Sequence, residues 1–194
     1  PSIKELSENK NKIFIVTHFG RPKGIKRKKY SLRFLLKELK SKFKFTKIHF
    51  LESFDSELIR KKMYEMEDGQ VCLFENIRFN YGEEKNDLKF SKSLSSNFDV
   101  YVNDAFSASH RDHTSITGFP KYLPAIAGNH MVKEIDNINS FLDNAKTPTS
   151  DVAVTVAVRG AEVSRAISPT ISPPPNWATR SPSCRPTAPR PRTA

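Results

Sequence analysis

Covalent cross-links are nearly ruled out: the 194 residues include only two cysteines. Cys72 sits in an apolar strand-like run and Cys184 in a Pro/Arg-rich stretch, which suggests neither a disulfide framework nor a zinc site and leaves Cys72 as core. Also missing is any run of roughly 18 apolar residues, the length needed to cross a bilayer. The opening PSIKELSENKNK has charges but no apolar stretch behind them, so it does not read as a secretion signal. By elimination the expected location is cytoplasmic, with no membrane partner. Lysine and phenylalanine, abundant earlier, are absent after residue 150.

What is present suits one domain and a tail. Hydrophobic residues make up 37%, charged residues 27% and aromatics 10%, enough for a single core in a rather polar chain. The formal charge of +11 is compatible with nucleic acid, a membrane surface or a small anion. Apart from a cluster at 23–29, the lysines are scattered over what read as solvated helix faces. No basic-aromatic pattern of a nucleic-acid module occurs, so a nucleic-acid partner is not expected.

The composition changes near Ser150. Residues 151–194 hold arginine without lysine and most of the thirteen prolines. Phe and Lys come from AT-rich codons, Ala, Pro and Arg mostly from GC-rich ones, so the switch has the form of a frame shift or a fusion. The segment 150–194 is expected to diverge from the domain at 1–149. Its Pro/Arg-rich tail has too little apolar surface to offset the entropy of ordering it.

Within 1–149 short apolar runs alternate with helical periodicity. Strands are expected at 12–17 (KIFIVT), 46–51 (TKIHFL), 71–74 (VCLF) and 98–102 (FDVYV), and helices at 32–43, 56–67, 87–96 and 131–142. This alternation implies βαβ units and a doubly wound α/β domain with a parallel sheet and flanking helices.

In such a sheet ligands bind outside the carboxyl ends of the strands. Three strands are followed at once by polar, basic segments: His18-Phe19-Gly20-Arg21-Pro22, Glu75-Asn76-Ile77-Arg78-Phe79, and Asn103 through His110-Arg111. A parallel sheet gathers them on one edge, around a crevice lined by His18, Arg21, Arg78, His110 and Arg111, with Asn76, Asn103 and Ser109 as neutral partners. Guanidinium groups match carboxylate and phosphate oxygens two at a time, so the crevice calls for a small anion. His49, His113 and His130 read as structural histidines, and no metal site is expected.

Four segments in order, HFGRPKG at 18–24, LFENIRFNYGEEKND at 73–87, VNDAFSASHRDH at 102–113 and FPKYLPAIAG at 119–128, resemble the signatures of phosphoglycerate kinases. The resemblance covers about residues 1–149 and implies the N-terminal, 3-phosphoglycerate-binding lobe of a two-lobed, usually monomeric, Rossmann-like glycolytic enzyme. That family passes a phosphoryl group between 1,3-bisphosphoglycerate and ADP, giving 3-phosphoglycerate and ATP, with magnesium. By resemblance, His18, Phe19, Gly20 and Arg21 form the substrate loop, Arg78 and Arg111 are further ligands of the phosphoglycerate, and His110 and Asn103 lend support. The family's first strand and its arginine are not matched. GAEVSRAI at 160–167 resembles the family's Gly-Ala-Lys-Val-Ser segment, with Glu162 and Ala166 where lysines would serve the nucleotide. The expectation is therefore a substrate-binding half that takes no Mg-ADP or Mg-ATP well and is inactive alone. The rival expectation is a non-catalytic fused or misread fragment that binds anions loosely.

Overall fold

The structure, a computed structural model, describes residues 1–144 and 154–159. Six strands form one sheet: β1 (Lys12–Val16), β2 (Ile48–Leu51), β3 (Val71–Phe74), β4 (Val100–Asp104), β5 (Ala125–Ala127) and β6 (Val154–Arg159), in the order β2-β3-β1-β6-β4-β5. The helices between and before them are α1 (Ser2–Glu8), α2 (Leu35–Lys42), α3 (Ser56–Glu65), α4 (Tyr81–Glu84), α5 (Leu88–Ser95) and α6 (Asn129–Asn144).

Both faces of the sheet are covered, because successive side chains of a strand point to opposite sides. Phe14, Val16, Cys72 and Phe74 pack with Ile59 and Met63 of α3 and Leu94 of α5. Their chain neighbours Ile13, Ile15, Val71 and Leu73 pack with Leu6 of α1, and partly buried Leu35, Leu36 and Leu39 of α2 close over them. Two-sided burial explains why β1 and β3 read as continuous apolar runs rather than alternating ones. Cys72 is fully buried in the first layer, as expected of a core residue, and burial pushes its thiol up to about 12.

Pairing is parallel for β1 with β3, β2 with β3, and β4 with β5. The exception is β6, which lies antiparallel between β1 and β4. Two antiparallel steps return β4 to the direction of β1, so the carboxyl ends of β1, β3 and β4 still share an edge. The doubly wound reading holds, with a mixed sheet in place of the wholly parallel one. VTVAVR, rich in β-branched residues, has the propensity to fill that slot. It lies beyond the boundary expected at 149, and the rest of the expected tail, at 150–153 and 160–194, lies outside the described residues.

Other departures are local. The helix expected at 32–43 starts as a 3₁₀ turn, Leu32–Phe34, in which the Ser31 hydroxyl accepts from Arg33 N. The strand expected at 98–102 is displaced to Val100–Asp104, because Phe98 turns into the aromatic core against Phe14 and Phe74. Side-chain caps fix the helix starts: Asp55 accepts from Glu57 N and Leu58 N, and Asp87 from Phe90 N.

The end of β4 is tied to two helices through one carboxylate. Asp104 Oδ1 accepts from His130 N and Met131 N at 2.8 and 3.0 Å, capping α6, and Oδ2 accepts from Ser2 Oγ at 2.8 Å. Ser2 Oγ in turn accepts from Asn129 N at 2.8 Å. Asp104→Ala therefore removes a helix cap and strands a buried hydroxyl, and is expected to cost about 2–3 kcal/mol. Urea unfolding checks this; Asp104→Asn, which keeps one acceptor oxygen, should cost less.

Candidate functional site at the carboxyl edge of the sheet

The loop after β1 has few contacts of its own, and the turn after β3 holds it in place. Asn76 Nδ2 donates to Phe19 O at 2.7 Å and Tyr30 O at 2.9 Å, while its Oδ1 accepts from Arg78 N. Glu75, buried, accepts from Ser31 Oγ and Leu32 N, both at 2.7 Å, and from Asn76 N. Arg78 Nη1 donates to Gly20 O at 2.7 Å, and Gly24 N donates to Arg78 O at 3.1 Å. Gly20 has φ +66°, and a Cβ there would meet the Tyr30 ring at 2.5 Å, so only glycine fits this bend. Phe19 is half-exposed and lies edge-on to Tyr30 and Phe34. It helps to shape the loop.

Onto this frame the structure gathers cations. Arg78 is 3% exposed, and its Nε and Nη2 are buried without a hydrogen-bond partner. Arg111 Nε is likewise buried and unpartnered. Unmade donors on buried guanidinium groups are rare in a folded chain, because each costs its lost hydration. Burial of Arg78 pulls its pKa down, as do the nearby charges of Arg111 and Arg21, while Glu84 and Glu83 act against them. His18 feels the same environment: burial first, then Arg78, Arg111 and His113, lower its pKa to about 4. At neutral pH it is an uncharged imidazole among guanidinium groups.

Of the expected site residues, His18, Arg78 and Arg111 are electrostatic neighbours, and Arg21, exposed at the loop, is near enough to act on Arg78. Asn103 uses its side chain to accept from Ala105 N at 3.0 Å, bracing the turn. His110 is exposed on that turn.

Sequence reasoning misses one residue of the cluster. His113 reads like His49 and His130, which do have structural partners: His49 Nε2 meets Gln70 Oε1 at 2.6 Å, and His130 Nε2 lies 3.9 Å from Glu134 Oε1. His113 also joins the cluster, its pKa lowered by burial, Arg78 and Arg111, with a buried Nδ1 that makes no hydrogen bond. That Nδ1 lies 3.7 Å from Oε1 of Glu83, which is fully buried and accepts from Ser115 N and Oγ at 3.0 and 2.6 Å. Its position two residues after Arg111 is the available signal. The π-turn Thr114–Gly118, which His113 immediately precedes, is not legible in the sequence.

The carboxyl edge thus gathers buried guanidinium donors and imidazoles of lowered pKa on the loops of an α/β lobe. Comparison with known proteins makes that class specific. The phosphoglycerate kinase family model matches residues 1–170, and the chain belongs to that family. It is similar to the phosphoglycerate kinases of Brucella suis, 42% identical over 164 residues, and Sinorhizobium fredii, 42% over 167. These alignments cover 84% and 86% of this chain and 40% of each relative. Phosphoglycerate kinase structures from Pyrococcus horikoshii and Coxiella burnetii share its fold, with TM-scores of 0.66 and 0.61 at 29% identity. They match 77% and 74% of this chain, and 38% and 36% of their own. The chain therefore spans about 40% of the length of the curated relatives it matches. No helix among the described residues is long and apolar enough to cross a membrane.

The depressed His18 pKa makes a linkage prediction. Between the ordinary value of 6.5 and about 4, the unfolded chain binds more protons at this position than the folded chain does. Stability therefore falls as pH drops through that window. His18→Gln should flatten the decline, read by denaturant melts at pH 7, 5.5 and 4.5. Arg111→Ala should raise the His18 pKa, read by NMR titration of the imidazole.

Proposed function

We propose that this chain is the substrate-binding part of a phosphoglycerate kinase, holding 3-phosphoglycerate or 1,3-bisphosphoglycerate at the carboxyl edge. The observation that supports this best is the set of buried, unpartnered donors on Arg78 and Arg111. A ligand with a phosphate at one end and a carboxylate at the other offers an oxygen to each. In this reading Arg21, Arg78 and Arg111 neutralise the anion, and neutral His18 and His113 donate hydrogen bonds to it. Gly20 lets the backbone come close, with Phe19 fixing the loop. His110 and Asn103 act from the rim, by shaping or charging the turn.

Phosphoryl transfer depends on positioning and on neutralising spread charge more than on covalent help from the protein. The cationic edge suits the phosphoglycerate side of that reaction. The proposed role is binding and orientation of the phosphoglycerate, in a cytoplasmic glycolytic setting.

A rival reading, loose capture of any anion, differs in selectivity. Titration of the chain with 3-phosphoglycerate, followed by heat or NMR shifts, should give saturable binding that inorganic sulfate matches only weakly. Arg111→Ala and Arg21→Ala should each weaken it, the first by roughly tenfold or more as expected for a buried charged hydrogen bond. Equal affinity for sulfate, or indifference to both substitutions, would overturn the specific reading.

A further inference from the structure

Helix α4 places two consecutive carboxylates at the cationic edge, and they have different surroundings. Glu83 points inward, is fully buried, and is hydrogen-bonded to Ser115 N and Oγ, so it holds the π-turn in place. Glu84 has no such employment. Its side chain is 36% exposed, and its Oε1 lies 3.5 Å from Nε of Arg78, whose own side chain is 4% exposed. At that distance it is an ion pair without a hydrogen bond, since charge-assisted N–H···O contacts close to about 2.7–2.9 Å.

What holds the Arg78 guanidinium in place is on its other side: Nη1 donates to Gly20 O at 2.7 Å. Glu84 therefore contributes charge to Arg78 without fixing its geometry. It faces the edge of the guanidinium whose donors, Nε and Nη2, are left unmade. The remaining charges near Arg78 are Arg111 and Arg21, which repel it, and buried Glu83. Glu84 is thus the exposed carboxylate in a position to offset the cations while the crevice holds no ligand.

We propose that Glu84 is a built-in counter-anion that competes with the substrate for Arg78 and so lowers the affinity of the crevice for its anion. It partly offsets the repulsion among the cations, and its charge opposes an arriving phosphate or carboxylate. This weakens retention of a polyanionic ligand and favours release. The proposal rests on the reading of Arg78 as an anion ligand.

The sign of the effect separates this role from a structural one. Glu84→Gln keeps the shape and an acceptor oxygen and removes the charge, so it should tighten 3-phosphoglycerate binding by roughly three- to tenfold. The gain should vanish when Arg78 is also changed to Ala. Glu8→Gln serves as the charge control: this exposed residue ends α1, just before β1, at the opposite edge of the sheet, and it pairs with Lys4. It should leave the affinity unchanged. The full chain is titrated with 3-phosphoglycerate and, separately, with inorganic phosphate. Weaker or unchanged binding by Glu84→Gln overturns the proposal, as does an equal gain from Glu8→Gln or a gain that survives loss of Arg78. If 3-phosphoglycerate fails to bind any variant while phosphate binds Glu84→Gln more tightly than the parent, the counter-anion stands and the substrate reading falls. If neither ligand binds parent or variant, both fall.

Discussion

Loops at the carboxyl edge of a parallel sheet have no ladder to hold them, and here the hydrogen bonds of Glu75, Asn76 and Arg78 supply one. Asn76 bridges two carbonyls eleven residues apart in the β1 loop, Phe19 O and Tyr30 O, while Glu75 grips its far end through Ser31 and Leu32. Arg78 closes the near end on Gly20 O. Because these three residues follow directly from β3, the loop is registered against the sheet itself. Buried hydrogen bonds of this kind are individually modest, yet each is expensive to leave half-made, so the clasp is held as a unit.

The clasp also explains how so much positive charge is kept in one place. Guanidinium and imidazole groups forced together repel, and burial strengthens that repulsion. The structure answers in three ways. His18 and His113 lose their charge, Arg78 is fixed to a carbonyl rather than left to swing into water, and Glu83 and Glu84 bring opposite charge close by. What is not answered is the hydrogen bonding of Arg78 Nε and Nη2 and of Arg111 Nε. An unmet donor inside a well-packed frame has a natural use in receiving a ligand that brings its own oxygens.

Much of this is legible in the sequence because the signals are local. The apolar runs of β1 and β3 match their strands closely, since two-sided burial gives an unambiguous pattern, and the basic residues that follow β1, β3 and β4 foretell the shared edge. Other features depend on tertiary context. Phe98 belongs by composition to a strand, but the aromatic core recruits it and β4 starts two residues later. Asn103 also braces its own turn, its side chain accepting from a nearby backbone N–H, a use that the sequence does not show. His113 looks structural and is part of the cluster, because a π-turn has no periodicity that would mark it. The antiparallel seating of β6 between β1 and β4 is not legible either, since pairing partners far apart in sequence leave no local trace.

For the anion binding proposed above, a loop ordered in advance changes what limits affinity. If the loop after β1 had to order around its ligand, the entropy of fixing it would be set against every hydrogen bond the ligand makes. Here Glu75, Asn76 and Arg78 have ordered it already, with Gly20 supplying a bend that a side chain would block. The opposing term is then electrostatic: the cations are held near each other before any anion arrives, and an arriving anion relieves that repulsion as well as meeting the free donors. Affinity in such a site follows the balance of fixed charges around it. Glu84, 3.5 Å from Arg78 Nε, is one of those fixed charges.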